Sequence, residues 1–148
     1  LHHQSFYRIG INMSNNWVKD ISDMQDKFGT KEWVKNNPTK LREFMAFRLD
    51  FIEEEFEETM KAFFQSDPEE MVDGLIDLCV VAIGTLDAFG VDANEAWDKV
   101  LEANMSKEVG IKKERPNPLG LPDLAKPKGW TAPDHTGNHG VLDTIKSV

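Results

Sequence analysis

Cysteine is nearly absent from the 148-residue chain: Cys79 stands alone, which excludes an internal disulfide. It sits in an apolar run, where a buried thiol is expected, and it accords with a reducing, cytoplasmic setting. Long apolar runs are missing too. None approaches the roughly 18 residues that a membrane span needs, so no transmembrane helix is expected. Basic residues are in deficit, 17 Lys and Arg against 26 Asp and Glu, for a net charge of −9. A broad nucleic-acid-binding surface needs clustered cations and is excluded as a main function. There is no GxxxxGK[ST] phosphate loop, no internal repeat and no sustained strand-like alternation. Residues Leu1 to Asn12 lack a signal-peptide pattern. Met13 opens the helix-like sequence, so residues 1–12 read as a leader or expression remnant.

What is present is helical patterning, and the expected fold class is all-α. Ser14 can cap a first helix whose Trp17, Ile21, Met24 and Phe28 follow helical spacing, with Gly29 ending it. Asn37-Pro38 opens a long second helix to about Gln65, with Pro38 suited to the first helical position. Asp67-Pro68-Glu69-Glu70 combines a cap, a first-turn proline and a capping-box glutamate, and starts a third helix ending near Phe89-Gly90. Asp92-Ala93-Asn94-Glu95 repeats the capping pattern for a fourth helix to about Lys107. Residues 13–109 therefore form one helical domain. Five of the seven prolines and five of the ten glycines fall in residues 110–148, which predicts an irregular tail or an active-site cover.

The acids decide the function class. On the second helix, Leu41, Phe44, Met45, Phe51, Ile52, Phe56 and Phe63 define an apolar stripe at about 100° per residue. Glu53 and Glu57 point away from it. Glu55 falls inside it, and Glu54 and Glu58 lie toward its edge. A carboxylate among apolar neighbours is costly unless it is paired or bound to a cation. Arg48 projects near Glu55, so a buried ion pair is the structural alternative. The third helix is apolar around most of its circumference, as a central buried helix would be. Glu70, Asp73 and Asp77 interrupt it on one face, and Gly84 continues that face, allowing close approach of another backbone. Glu70 has a competing role as a capping-box residue; Asp73 and Asp77 lie too far into the helix for that.

Carboxylates on two neighbouring helices suit a hard divalent cation, Mg²⁺ or Mn²⁺. A di-iron centre of the ferritin type needs Glu-x-x-His. The only histidines are His2, His3, His135 and His139, none of them three residues after a candidate glutamate. His135 and His139 fall in the glycine-rich tail and read as loop residues rather than a zinc site.

Glu54-Glu55-x-x-Glu58 followed by Glu70-x-x-Asp73 resembles the signature of the MazG-like, all-α NTP pyrophosphatase superfamily, which is related to helical dUTPases and phosphoribosyl-ATP pyrophosphohydrolases. The DGLIDL continuation and Asn104-Met105-Ser106-Lys107 add to the likeness, and KPKGWTAPD (126–134) resembles the tail of short members. The resemblance implies a four- to five-helix core that completes a bundle by dimerisation. It also implies hydrolysis of a nucleoside triphosphate, a dNTP above all, to its monophosphate and pyrophosphate.

Glu55, Glu58, Glu70 and Asp73 would then hold one or two Mg²⁺ ions. Glu54 would be a further ligand or would orient the attacking water, with Glu54 and Glu55 as the catalytic pair. Asp77 would join as an outer group, and Asn104, Lys107 and, more weakly, Lys61 and Arg48 would contact phosphate. Trp130 and Lys128 would fold over the nucleotide, and Trp17, Phe44, Phe51 or Trp130 could stack on a base.

The apolar helix faces are too extensive for a lone chain, so a homodimer or tetramer is expected. The alternatives are dUTPase-like or phosphoribosyl-ATP pyrophosphohydrolase activity, or a non-catalytic helical interaction protein whose acids are neutralised by Arg48, Lys61 or a partner's basic residues.

Overall fold

The computed structural model describes residues 16–114 and 118–145. Five helices follow one another: α1 (Trp17–Lys27), α2 (Thr30–Asn36), α3 (Leu41–Phe64), α4 (Pro68–Ala88) and α5 (Ala93–Met105). Two three-residue strands, β1 (Glu108–Gly110) and β2 (Asp123–Ala125), pair antiparallel, and a 3-10 turn spans Gly140–Thr144. Among the described residues no single helix is long and apolar enough to cross a membrane.

Local chemistry accounts for most boundaries. The Asp67 side chain accepts a hydrogen bond from Glu70 N at 3.1 Å, and Asp92 does the same for Glu95 N at 3.1 Å, so both expected caps form. The first helix is capped by Asn16, which accepts from Lys19 N; Ser14 and the proposed leader lie outside the described residues. The second expected helix starts later than Pro38. An extra short helix, α2, fills residues 30–36, Pro38 falls in the turn after it, and α3 begins at Leu41. Gly29, with φ of 74°, is the hinge between α1 and α2. The segment after residue 107, expected to be irregular, gains the small hairpin.

The long helices α3 and α4 form an antiparallel pair and are the most extensively packed elements. Gly74 makes their close approach possible, since a Cβ there would collide with Thr59 Oγ1. At the other end Arg48 reaches across, donating from Nε to Thr85 Oγ1 (2.9 Å) and from Nη2 to Val81 O (3.1 Å). From α1, Gln25 Nε2 donates to Gly84 O at 2.7 Å. Gly84 thus admits two side chains, those of Arg48 and Gln25, rather than the neighbouring backbone expected there. The apolar core gathers Val34, Leu41, Ala88, Phe89 and Val91, with Phe44 stacked between Trp33 and Phe89 at 5.5 Å from each ring.

In the single chain α4 is not buried all round. Val72, Leu75 and Ile76 are 64%, 56% and 42% exposed, so its apolar circumference is covered mainly on the α1 and α3 sides. The chain bends by 118° between α4 and α5. The tail returns over this bend. Asn138 brackets Asp92, accepting from its N–H (2.8 Å) and donating to its carbonyl (2.9 Å), and Val141 N donates to Phe89 O at 2.8 Å.

Candidate functional site

The register that sets Gly74 against Thr59 and Thr85 against Arg48 brings Asp77 level with Glu55. Acids from both helices therefore face one another. Glu55 is half-buried, and its Oε2 is enclosed without a hydrogen-bond partner. Burial first, then the charges of Asp77, Glu58, Glu54 and Asp73, push its carboxyl above the usual carboxylate range. An orphaned carboxylate oxygen surrounded by four further carboxylates is a site of strong negative potential. It is chemically suited to a hard cation and to taking a proton from water.

Asp77 is half-buried, whereas Glu54, Glu58, Glu70 and Asp73 are exposed and open to solvent and ligand. Asp77, placed in an outer role by the sequence pattern, is the nearest counterpart of Glu55 on α4. Its proximity became visible only with the α3–α4 register, which a glycine opposite a small hydroxyl residue could have suggested. Glu70 is not among the charges acting on Glu55 and lies a turn closer to the α3–α4 loop. Its carboxylate is also spared the capping task, because Asp67 N already donates to Ala62 O at 2.9 Å. Among the described residues no three His, Cys, Asp or Glu side chains are drawn together as tightly as metal ligands are. The donor set fits a hard cation by its chemistry and by the orphaned Oε2.

The ion-pair alternative at Glu55 is answered by Arg48. Its guanidinium points to Thr85 and Val81 and lies 5.9 Å from the Phe51 ring centroid, and burial pulls its pKa down from the usual value. Lys61 follows Glu57 and Glu58 along α3, exposed and, among the described residues, without an ion pair. Asn104 and Lys107 are not brought against the acids within one chain. They stand at the far end of α5, which touches α4 only lightly. Trp130 donates from Nε1 to Ala103 O at 2.7 Å, so it is pinned on α5.

Hollows border the helices. One, of about 530 Å³, is lined by Phe28, Trp33, Lys40, Phe44, Phe47 and Arg48 among others. It continues the face of α3 that leads to the acids, since Phe44, Arg48, Phe51 and Glu55 recur at helical spacing. Trp33 and Phe47, 42% and 60% exposed, were not singled out by sequence. The larger hollow, about 950 Å³, lies between α1, α5 and the tail and includes Trp17, Trp97 and His135. His139 Nδ1 lies 2.9 Å from Asp143 Oδ1.

The family described as phosphoribosyl-ATP pyrophosphohydrolase matches residues 21–104, more than half of the chain. The match contains every candidate acid and stops short of Lys107 and the tail. No curated protein and no solved structure matches the chain.

Proposed function

The chain belongs to the phosphoribosyl-ATP pyrophosphohydrolase family, within the MazG-like all-α NTP pyrophosphatase superfamily, and on that premise we propose that it cleaves a nucleoside triphosphate, by preference a dNTP, to the monophosphate and pyrophosphate with Mg²⁺ as cofactor. The coarser statement, a pyrophosphohydrolase acting on nucleotide-like substrates, follows from the family itself. The observation that supports the metal-dependent reading is the orphaned Oε2 of Glu55 amid Asp77, Glu58, Glu54 and Asp73, while the dNTP preference rests on the resemblance alone.

Glu55, Glu58, Glu70 and Asp73 would hold Mg²⁺, or Mn²⁺ in its place. When bound, the cation neutralises phosphate charge and lowers the pKa of a water. The protein's own groups do the rest. Glu54 orients the attacking water, and a carboxylate flanking the cation, Glu54 or Glu55, accepts its proton. Asp77 keeps the potential at Glu55 negative. The hollow at Trp33 and Phe47 takes the base: Phe47 precedes Glu55 by eight residues, about 12 Å along the helix at 1.5 Å per residue. That separation suits a substrate whose base and reacting phosphate lie at opposite ends.

Asn104 and Lys107 supply phosphate contacts in this reading, and their distance from the acids of the same chain favours a homodimer in which a second copy presents them. Uncovered Phe56, Phe63, Val72 and Leu75 on the α3–α4 pair support that assembly.

A second reading, phosphoribosyl-ATP as substrate, is favoured by the family match. One assay separates the two: pyrophosphate release from dNTPs, NTPs and phosphoribosyl-ATP with Mg²⁺, Mn²⁺ or chelator, beside Glu55→Gln and Trp33→Ala. Metal-dependent release lost in Glu55→Gln, with a raised KM in Trp33→Ala, is the expected result. A folded protein with no turnover on any member of the panel would return the chain to the non-catalytic reading.

A further inference from the structure

The tail, outside the family match, brings cations to the end of α5. Residues 107–128 carry six basic side chains against three acidic ones, in a chain whose net charge is −9. The hairpin fixes where two of them go. Its register ends with Glu108 paired to Ala125, and Lys107 and Lys126 are the residues just beyond that pair. Like charges held near each other are destabilising unless something compensates them.

The fold compensates this in part. Pro127 to Trp130 form a tight turn, Trp130 N donating to Pro127 O at 3.0 Å, with Gly129 at φ 83° as a type II turn requires. The turn lays the indole on α5, fastened by its bond to Ala103 O, and both ammonium groups sit by the ring, Lys107 at 5.3 Å and Lys126 at 4.9 Å from its centroid. Two cations no farther apart than about 10 Å are within roughly one Debye length of each other at moderate salt. Among the described residues neither has a carboxylate at ion-pair distance. The adjoining hollow, about 450 Å³, adds Lys99, Lys128 and Ser106. Its carboxylates are Glu102 and Asp134, and Asp134 is already engaged by the Thr136 hydroxyl and N–H.

We propose that Lys107 and Lys126, clamped beside Trp130 by the hairpin, form a binding site for a phosphate chain, with Lys126 a substrate-positioning residue contributed by the tail. The proposal deepens the function given above and rests on that reading for its link to turnover, although anion binding itself does not depend on it. The indole holds both lysine side chains in place, so little of their rotamer freedom remains to be lost when the anion arrives. Lys99 and Lys128 strengthen the local positive potential against Glu102 and Asp134.

The test titrates pyrophosphate into the full chain in chelator at low salt, with calorimetry as readout, for wild type, K126Q, K126R and W130F. Wild type is expected to bind, K126Q to lose about tenfold in affinity, the value of one charge-assisted contact, and K126R to retain binding. W130F, which cannot donate to Ala103 O, should weaken binding as well. In turnover K126Q should raise KM by a similar factor and leave kcat unchanged. A wild type that does not bind pyrophosphate, or a K126Q that binds it equally well and differs only in melting temperature, overturns the proposal by making the clamp purely structural. A wild type without turnover that still binds pyrophosphate through Lys126 overturns the catalytic reading and leaves this site standing.

Discussion

Glu55→Gln is expected to stabilise the metal-free protein at neutral and alkaline pH. The Glu55 carboxyl is raised above its ordinary value of 4.5 by burial and by four neighbouring acids, so the folded state binds its proton more tightly than the unfolded state. The stabilising contribution of such a group is present below the unfolded pKa and lost as pH rises through the folded one. Above that window the wild type bears the full repulsion, and the glutamine variant bears none at this position. Like-charged neighbours on helix surfaces cost about 0.2–0.5 kcal/mol each, so four of them amount to about 1–2 kcal/mol. The glutamine amide inherits the enclosed position of Oε2 and gives part of that back. A net gain near 1 kcal/mol corresponds to a rise in Tm of roughly 3 °C for a domain of this size. Circular-dichroism melts in chelator at low salt, from about pH 8 down to about pH 4, measure it. The difference should close toward the acid end and shrink as salt is added. Adding Mg²⁺ should reverse the order, because only the wild type then gains a ligand-linked term. A variant no more stable than wild type at pH 8 in chelator would refute the electrostatic account of the site.

Gly74→Ala should destabilise the fold by about 1–3 kcal/mol in urea unfolding, since its Cβ meets Thr59 Oγ1 where α3 and α4 touch. Thr59→Ala in the same chain should restore only part of the loss, because residue 59 keeps a Cβ 3.2 Å from the new methyl; full restoration would show that the helices separate freely. The wild-type chain at micromolar concentration should sediment as a dimer or larger, and Leu75→Glu, on the uncovered face of α4, should shift it toward monomer. A wild-type monomer would remove the dimer from the reading and leave Asn104 and Lys107 without acids to work beside.

The legible parts of this sequence were those in which a local rule acts alone. Asp67 and Asp92 cap their helices because a short acceptor before a helical run needs no tertiary help to find an N–H. The acids of α3 and α4 could be placed on faces by counting residues, and the family match falls on the segment that holds them. Pro38 was misplaced by the same kind of rule: a proline tolerated in the first helical turn is equally at home in a turn, and α2 before it left no room to start α3 early. What counting could not reach was register. Whether Asp73 or Asp77 lies nearer Glu55 depends on Gly74 letting the two backbones close at Thr59, a contact between residues in different elements.

The same limit hid the proximity of Lys107 and Lys126, nineteen positions apart and separated by proline and glycine punctuation, until the hairpin paired their neighbours. Both cases have one physical form. Like charges are brought together by packing that does not itself depend on them, so the fold bears a repulsion that a ligand of opposite sign would relieve. On the function proposed above, that ligand would be a cation at Glu55 and a phosphate chain at Lys126, the two components that a metal-dependent pyrophosphohydrolase would have to hold at once.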